Sequence, residues 1–381
     1  MTRVAVNAGI LEWALDRAGR SVADLEPRFP KLADWLAGQS QPTLRQLEAF
    51  ASTTRTPFGY FFLPRPPEER VPIPDFRTVR GKAIARPSPD LLDTIYICQQ
   101  RQEWYRQYAQ ITGDKPFPLV GAASVRDDVV EVASKMRDAL AFELDERRRM
   151  ATWTDALRSF IEQADNCGIL VMVNGVVGSN NNRRLDPSEF RGFALSDPLA
   201  PLVFVNGADT KAGQMFTLAH ELAHVWVGES ALTDVEPRSR PSDAVEKWCN
   251  GVAAELLVPL AVFGQEYDAD APLRTELDRL ARRFKVSTLV VLRRIHDVGE
   301  LTSDQLLNEY DRELQRLRDL PRGGGGNFYL TTAARVSRRF ARAVVTSTWE
   351  GRASFTEAFH LLGFKKMSTF HKLGQRLGVA G

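Results

Sequence analysis

Phe216-Thr217-Leu218-Ala219-His220-Glu221-Leu222-Ala223-His224-Val225-Trp226 holds a His-Glu-x-x-His pattern. A helix turns once every 3.6 residues or so, and that period places His220 and His224 one above the other on one face. Two imidazoles so spaced reach one metal ion, most often Zn2+. Glu221 is turned about a hundred degrees from His220. It can touch a water held at the metal, but cannot share the histidines' coordination position. The chain has five histidines, at 220, 224, 296, 360 and 371, so this pattern is not the product of a His-rich composition. Phe216, Leu218, Leu222, Ala223 and Val225 are apolar, which makes the helix largely buried. A buried His pair beside an acid needs a reason, because unpaired buried polar groups are costly.

Two histidines leave the metal short of a third protein ligand. The stretch Ser242-Asp243-Ala244-Val245-Glu246-Lys247-Trp248-Cys249-Asn250 continues to Pro259. It reads as a helix capped near Ser242 and stopped before the proline. Asp243, Glu246, Cys249 and Glu255 are the candidates. Glu246 and Glu255 point to opposite sides of the helix, so only one faces the metal. Glu246 has Asn250 one turn on, placed to accept the N–H of a liganding histidine. Cys249 is the rival, since thiolate also binds zinc, but two histidines and one carboxylate are the better precedent for a water-activating site.

Upstream, residues 168–173, 190–195 and 201–206 read as strands after helices at 88–105, 124–144 and 152–166. Helices, strands and then the His-Glu-x-x-His helix are the order of a zincin domain. The expected fold is therefore α+β and mostly helical: a zincin-like peptidase domain with a small sheet, flanked by helical domains. Val203, Phe204, Val205 and Asn206 are the candidate cleft-edge strand, to which a peptide substrate adds through main-chain hydrogen bonds.

The paired motifs, Phe216 to His224 followed by Glu246-x-x-Cys249-Asn250-x-x-Ala253-Ala254-Glu255-Leu256-Leu257-Val258-Pro259, resemble the ImmA/IrrE family of bacterial metallopeptidases. The resemblance covers roughly residues 165–300. It implies His220, His224 and Glu246 as zinc ligands, Glu221 as general base, and regulated cleavage of a transcriptional repressor. Tyr267 and His296 are possible oxyanion helpers, though no spacing ties either to the cleft.

The flanks divide by composition. Residues 1–56 read as a helical bundle. Trp35-x-x-Gly38-x-x-x-Pro42-Thr43-x-x-x-Leu47 is similar to Cro/repressor (Xre-like) helix-turn-helix domains. Pro27 and Pro30 fall where that pattern has a smooth turn and recognition helix. Residues 57–87 are a Pro-rich connector, in which 75–78 could dock near the cleft. The peptidase domain with its helical lead-in is expected over 88–270. A helix-turn-helix-like segment follows over 271–320, with its turn at 284–287 and a basic cluster of Arg282, Arg283, Lys285, Arg293 and Arg294 that could contact nucleic acid. After a Gly-rich break, 327–381 is basic and helical.

The 381 residues are 44% hydrophobic and 26% charged, with net charge +2, so any nucleic-acid signal is local rather than global. The three cysteines, Cys98, Cys167 and Cys249, do not make a disulfide framework. The start lacks a signal-peptide core and no run is long enough to span a bilayer, so the expected location is cytoplasmic. Two functions stand side by side: a zinc endopeptidase with a selective protein substrate, or a DNA-binding regulator whose peptidase fold mainly binds a partner. An intact Glu221 favours the first, because binding alone does not need it.

Overall fold

The computed structural model describes residues 3–74, 87–233, 244–319 and 335–379. The chain divides into two units, one built mainly from Met1–Pro72 and the other mainly from Tyr96–Gly381.

In the first unit, α1 (Ala8–Arg17) is capped by the Asn7 side chain, and Ser21 with Asp24 forms a capping box for α2 (Val22–Leu25). A second capping box, Thr43 with Gln46, opens α4 (Leu44–Thr54). Each box satisfies two backbone N–H groups that the first helical turn leaves open. Between them α2 and α3 (Leu32–Leu36) are short, as the prolines at 27 and 30 dictate. Ile10, Leu11, Leu32, Leu47 and Phe50 are fully buried. The ring of Phe50 meets Phe29 edge-on at 5.5 Å and Phe61 at 5.8 Å. Phe61 belongs to the 3-10 turn Phe58–Phe62, so the apolar start of the connector packs into this core. The connector is tied further by Glu69, which pairs with buried Arg17 at 2.6 Å, and by Pro64, whose carbonyl accepts from Asn7 at 3.0 Å.

Helix α5 (Pro89–Thr112) carries the chain into the second unit. The single helix expected over 124–144 is instead α6 (Val129–Leu140), followed after a break by α7 (Leu144–Arg149). Asp128 caps α6 by accepting from Val130 and Glu131 N–H, and Ala141 ends it in a left-handed conformation. Helix α8 (Trp153–Cys167) runs from its Thr152 cap to Gly168, whose φ of +118° lets the chain turn into the sheet. The strands are β1 (Leu170–Asn174), β2 (Gly192–Leu195), β3 (Leu202–Asn206) and β4 (Ala231–Thr233), in spatial order β1-β3-β2-β4. β1 and β3 are parallel, and the other pairs are antiparallel.

Helix α9 (Lys211–Val227) packs on β2 and β3, and α10 (Ala244–Leu257) packs on α9 and α6. Then come α11 (Leu260–Glu266), α12 (Leu273–Phe284), α13 (Thr288–Asp297) and α14 (Ser303–Asp319). The turn expected at 284–287 is there: Lys285 is left-handed and Ser287 caps α13. The molecule is thus a mostly helical α+β, zincin-like fold with a small four-stranded sheet. No helix among the described residues is long and apolar enough to cross a membrane.

The C-terminal helices are α15 (Arg338–Trp349), α16 (Phe355–Leu362) and α17 (Met367–Leu377). Asp165, in the last turn of α8, accepts from the Ser337 hydroxyl and, at 2.7 Å, from Arg339 N–H at the start of α15. Burial nevertheless raises Asp165 to about 6, against an ordinary 3.8. The folded chain therefore holds this proton more tightly than the unfolded chain. The stability it confers is complete below about pH 4 and declines as pH rises through 6, by at most about 3 kcal/mol. Urea midpoints from pH 4 to 7 should carry this decline in the wild type and lack it in Asp165→Asn. Identical slopes would mean that Asp165 titrates normally.

Candidate metal centre

Helix α9 is held at both ends. Thr210 accepts from Gly213 N–H at its start, and Gly228 closes it with φ +84°. The buried Gln214 amide donates to the carbonyls of Gly207 and Asp209, fixing the exit of β3 against the first turn. Nearly every side chain from Thr217 to Trp226 is buried. His220, Glu221 and His224 are each 0% exposed, and Glu246, reaching over from α10, is 7% exposed.

The His220 and His224 Nε2 atoms stand 3.1 Å apart. Glu246 Oε1 lies 3.0 Å from His224 Nε2, and Glu246 Oε2 lies 3.4 Å from His220 Nε2. Among the described residues this is the group of His, Cys, Asp and Glu side chains able to hold a metal ion. The spacing fits one: ligands about 2.0–2.1 Å from a tetrahedral zinc sit roughly 3.3 Å from each other. Three buried acceptors so close repel unless a cation or protons lie between them. Burial alone would raise Glu246, but hydrogen bonding and charge interaction with both histidines outweigh it and hold the carboxyl at about 2. It is therefore ionised, as a metal ligand must be.

Glu221 does not join the three. Its Oε1 accepts from the Thr233 hydroxyl of β4, and its Oε2 is buried without a hydrogen-bonding partner. Burial pushes its pKa well above the usual carboxylate value, and the Glu246 charge adds to that rise, while the Thr233 hydrogen bond opposes it. Thr233 is a neighbour of Glu221 that the sequence did not disclose. A three-residue strand leaves too little periodicity to find it. Gly192 is the other. A Cβ built there would stand 2.5 Å from Thr217 Cγ2, 2.9 Å from Phe204 O and 3.0 Å from Glu221 Oε1. β2 can lie under α9 only without a side chain at this position. Gly192→Ala should displace α9 and lower stability by about 1–3 kcal/mol, the range for overpacking. Thermal unfolding checks this, and an unshifted midpoint would mean that the helix gives way freely.

The remaining candidates fall as follows. Glu255 faces away, pairing with buried Arg294 at 2.7 Å and accepting from Leu260 N–H. Cys249 is buried in the core outside the metal group. Asp243 lies outside the described residues, as does the 75–78 stretch. The expected contact of Asn250 with a histidine is not made: Asn250 Oδ1 and His220 Nδ1 are both buried without a hydrogen-bonding partner. Tyr267 stacks on Phe263, and His296 meets Ser303 Oγ at 3.4 Å, so both are engaged among the later helices.

Two expectations are corrected. Val203, Phe204, Val205 and Asn206 do not form a cleft edge, because β3 is paired on both sides and buried along its length. A peptide cannot add to a strand whose N–H and C=O groups are already taken. The sheet edges are β1 and β4, and on β4 the Leu232 N–H donates to Pro74 O at 2.9 Å. The basic cluster is largely neutralised. Arg283 pairs with Glu266, Arg293 with Asp297, and buried Arg294 with Glu255. Lys285 is 9% exposed, lies over the Trp153 ring and donates to Arg282 O. Of the five, Arg282 alone has neither an acidic partner nor burial to withdraw it.

Fold and site together define a zincin-like α+β domain with a buried two-histidine, one-carboxylate candidate metal centre. Residues 164–296, which carry that centre, match the family described as the IrrE N-terminal-like domain (peptidase M78). Residues 336–376 match a domain of unknown function (DUF8813). Two similar proteins are the radiation response metalloproteases IrrE of Deinococcus radiodurans, 32% identical over 96 residues, and of Deinococcus deserti, 30% identical over 146 residues. These alignments span 24% and 37% of this chain, and only 29% and 50% of the relatives' lengths. No solved structure matches the chain.

Proposed function

We propose that the chain is a zinc-dependent endopeptidase that selectively cleaves an intracellular protein. The observation that carries this reading is the convergence of His220 Nε2, His224 Nε2 and the Glu246 carboxylate beside a fourth buried group, Glu221, that is not part of the set. A pure binding module has no use for a second carboxylate whose outer oxygen is sequestered and unpartnered.

In this reading His220, His224 and Glu246 hold the ion. Zinc, when bound there, acidifies water and polarises a carbonyl. Thr233 fixes Glu221 through Oε1, leaving Oε2 to take a proton from the attacking water and return it to the leaving amine. A raised pKa suits both halves of that task, because a stronger base takes up the water's proton more readily and, once protonated, is the acid the leaving amine needs. Glu246 stays ionised throughout. The resemblance to ImmA/IrrE peptidases and to proteins named radiation response metalloproteases favours a transcriptional repressor as substrate. The N-terminal bundle, similar to Xre-like domains, is then the part that meets the target or its DNA.

The test compares new protein N-termini in cells making the wild type or Glu221→Gln. N-termini specific to the wild type identify the substrate. Their absence, with zinc bound and the chain folded, would leave the partner-binding reading in place.

A further inference from the structure

We propose that the chain binds a phosphate-class oxyanion in a second site, a small cavity between α5, the β1–β2 loop and the C-terminal helices. Arg101, Ser179, Asn181 and Arg335 line it, and none of the metal-centre residues does. Its volume is about 100 Å3, several times the roughly 30 Å3 that a water occupies in the liquid.

Arg101 is the reason to expect a ligand. It is 6% exposed. Its Nε donates to Leu361 O at 3.0 Å, and one terminal nitrogen reaches Met172 Sδ at 3.7 Å. Thioether sulfur is a weak acceptor, and a guanidinium has five N–H groups to place. No carboxylate among the described residues pairs with it. Buried Arg17 and Arg294 are paired with Glu69 and Glu255, while Arg147 has no acid but lies over the Phe142 ring at 4.9 Å, with two of its nitrogens unpartnered. Arg101 has neither an acid nor an aromatic face. An uncompensated buried cation is costly, yet the chain adds a second cation, Arg335, to the same cavity.

The rest of the wall agrees. Ser179 and Asn181, both exposed residues, supply neutral hydrogen-bonding groups, and no acid lines the cavity. Gly178 and Gly363 adopt φ of +55° and +70°, and a Cβ at Gly363 would run into the Ser179 hydroxyl. Two guanidinium groups with hydroxyl and amide donors match a tetrahedral dianion. Arg335 lies three residues before Arg338, the first residue of α15, and Gly363 ends α16. A bound oxyanion therefore joins the C-terminal helices to the β1–β2 loop.

Calorimetric titration of the 381-residue chain at fixed ionic strength tests this. The probes are inorganic phosphate, phenyl phosphate and, as a planar control, acetate. The expected result is one site per chain, at least about tenfold weaker in Arg335→Gln and lost in Arg101→Met. Both variants should keep wild-type circular dichroism and zinc content, since removing a buried charge whole is commonly tolerated. Binding of inorganic phosphate alone identifies the free ion as the occupant. Binding of phenyl phosphate alone identifies a monoester. Either supports the site, as does binding of both. No saturable binding by the wild type, undiminished binding in both variants, or equal binding of acetate would overturn it.

Discussion

Glu221→Gln is expected to keep the wild-type zinc content and to hydrolyse the substrate about a hundred- to ten-thousand-fold more slowly, the range for losing a positioned general base. The substitution is nearly isosteric. An amide oxygen at Oε1 still accepts from Thr233, so the packing around α9 has no cause to change. What is lost is the ability to hold a proton on the other terminal atom. The effect should fall on kcat with KM little altered, because the lost interaction belongs to the transition state. Activity within a few-fold of wild type would place the base elsewhere. Thr233→Val is the companion variant. It strands Glu221 Oε1 without its donor and removes the one contact that draws the Glu221 pKa down. Its pH–rate profile should move upward on the acid side while the zinc content holds.

How far the sequence disclosed this site depends on how local each signal was. His220, Glu221 and His224 are spaced by the pitch of one helix, so their relation needed nothing else. Glu246 was readable from helical phase, because Glu255 had to point the other way, and it does, onto Arg294. The position of β3 was misread because strand order is not written locally. Val203, Phe204 and Val205 are apolar on both faces, which says that both faces of the sheet are covered; β1 is as apolar and lies at an edge. The basic cluster was misread for another reason. Sequence gives the sign of a charge but not its partner, and Glu255 and Glu266, which neutralise Arg294 and Arg283, lie on other helices. Thr233, Gly192 and the Arg101 cavity depend on tertiary neighbours far along the chain, which no local pattern records.

The metal itself offers the sharpest separation of ligand sets. Purified wild type should carry about one zinc per chain by elemental analysis, since one buried set of donors makes one site. His220→Ala, His224→Ala and Glu246→Ala should each be nearly metal-free after dialysis. A direct ligand matters more than the outer contacts, whose loss alone costs about 10–100-fold in affinity. Cys249→Ser should stay loaded, which eliminates thiolate as the third donor. Glu255→Gln tests the opposite dissociation. It removes the buried partner of Arg294, which keeps Asp297 at 3.2 Å, so it should lower stability by less than the roughly 3–5 kcal/mol of a fully stranded buried charge and still bind zinc. If Glu255→Gln lost zinc while remaining folded, or Glu246→Ala kept it, the assignment of α10 would be reversed. Chelation should act in the same direction as the ligand variants. Without the ion, the two imidazoles and the Glu246 carboxylate remain 3.0–3.4 Å apart in a buried pocket. The apo protein can relieve that crowding only by taking up protons or by loosening α9 from α10. Its unfolding midpoint should therefore fall on chelation, recover on adding zinc, and depend far less on zinc in Glu246→Ala.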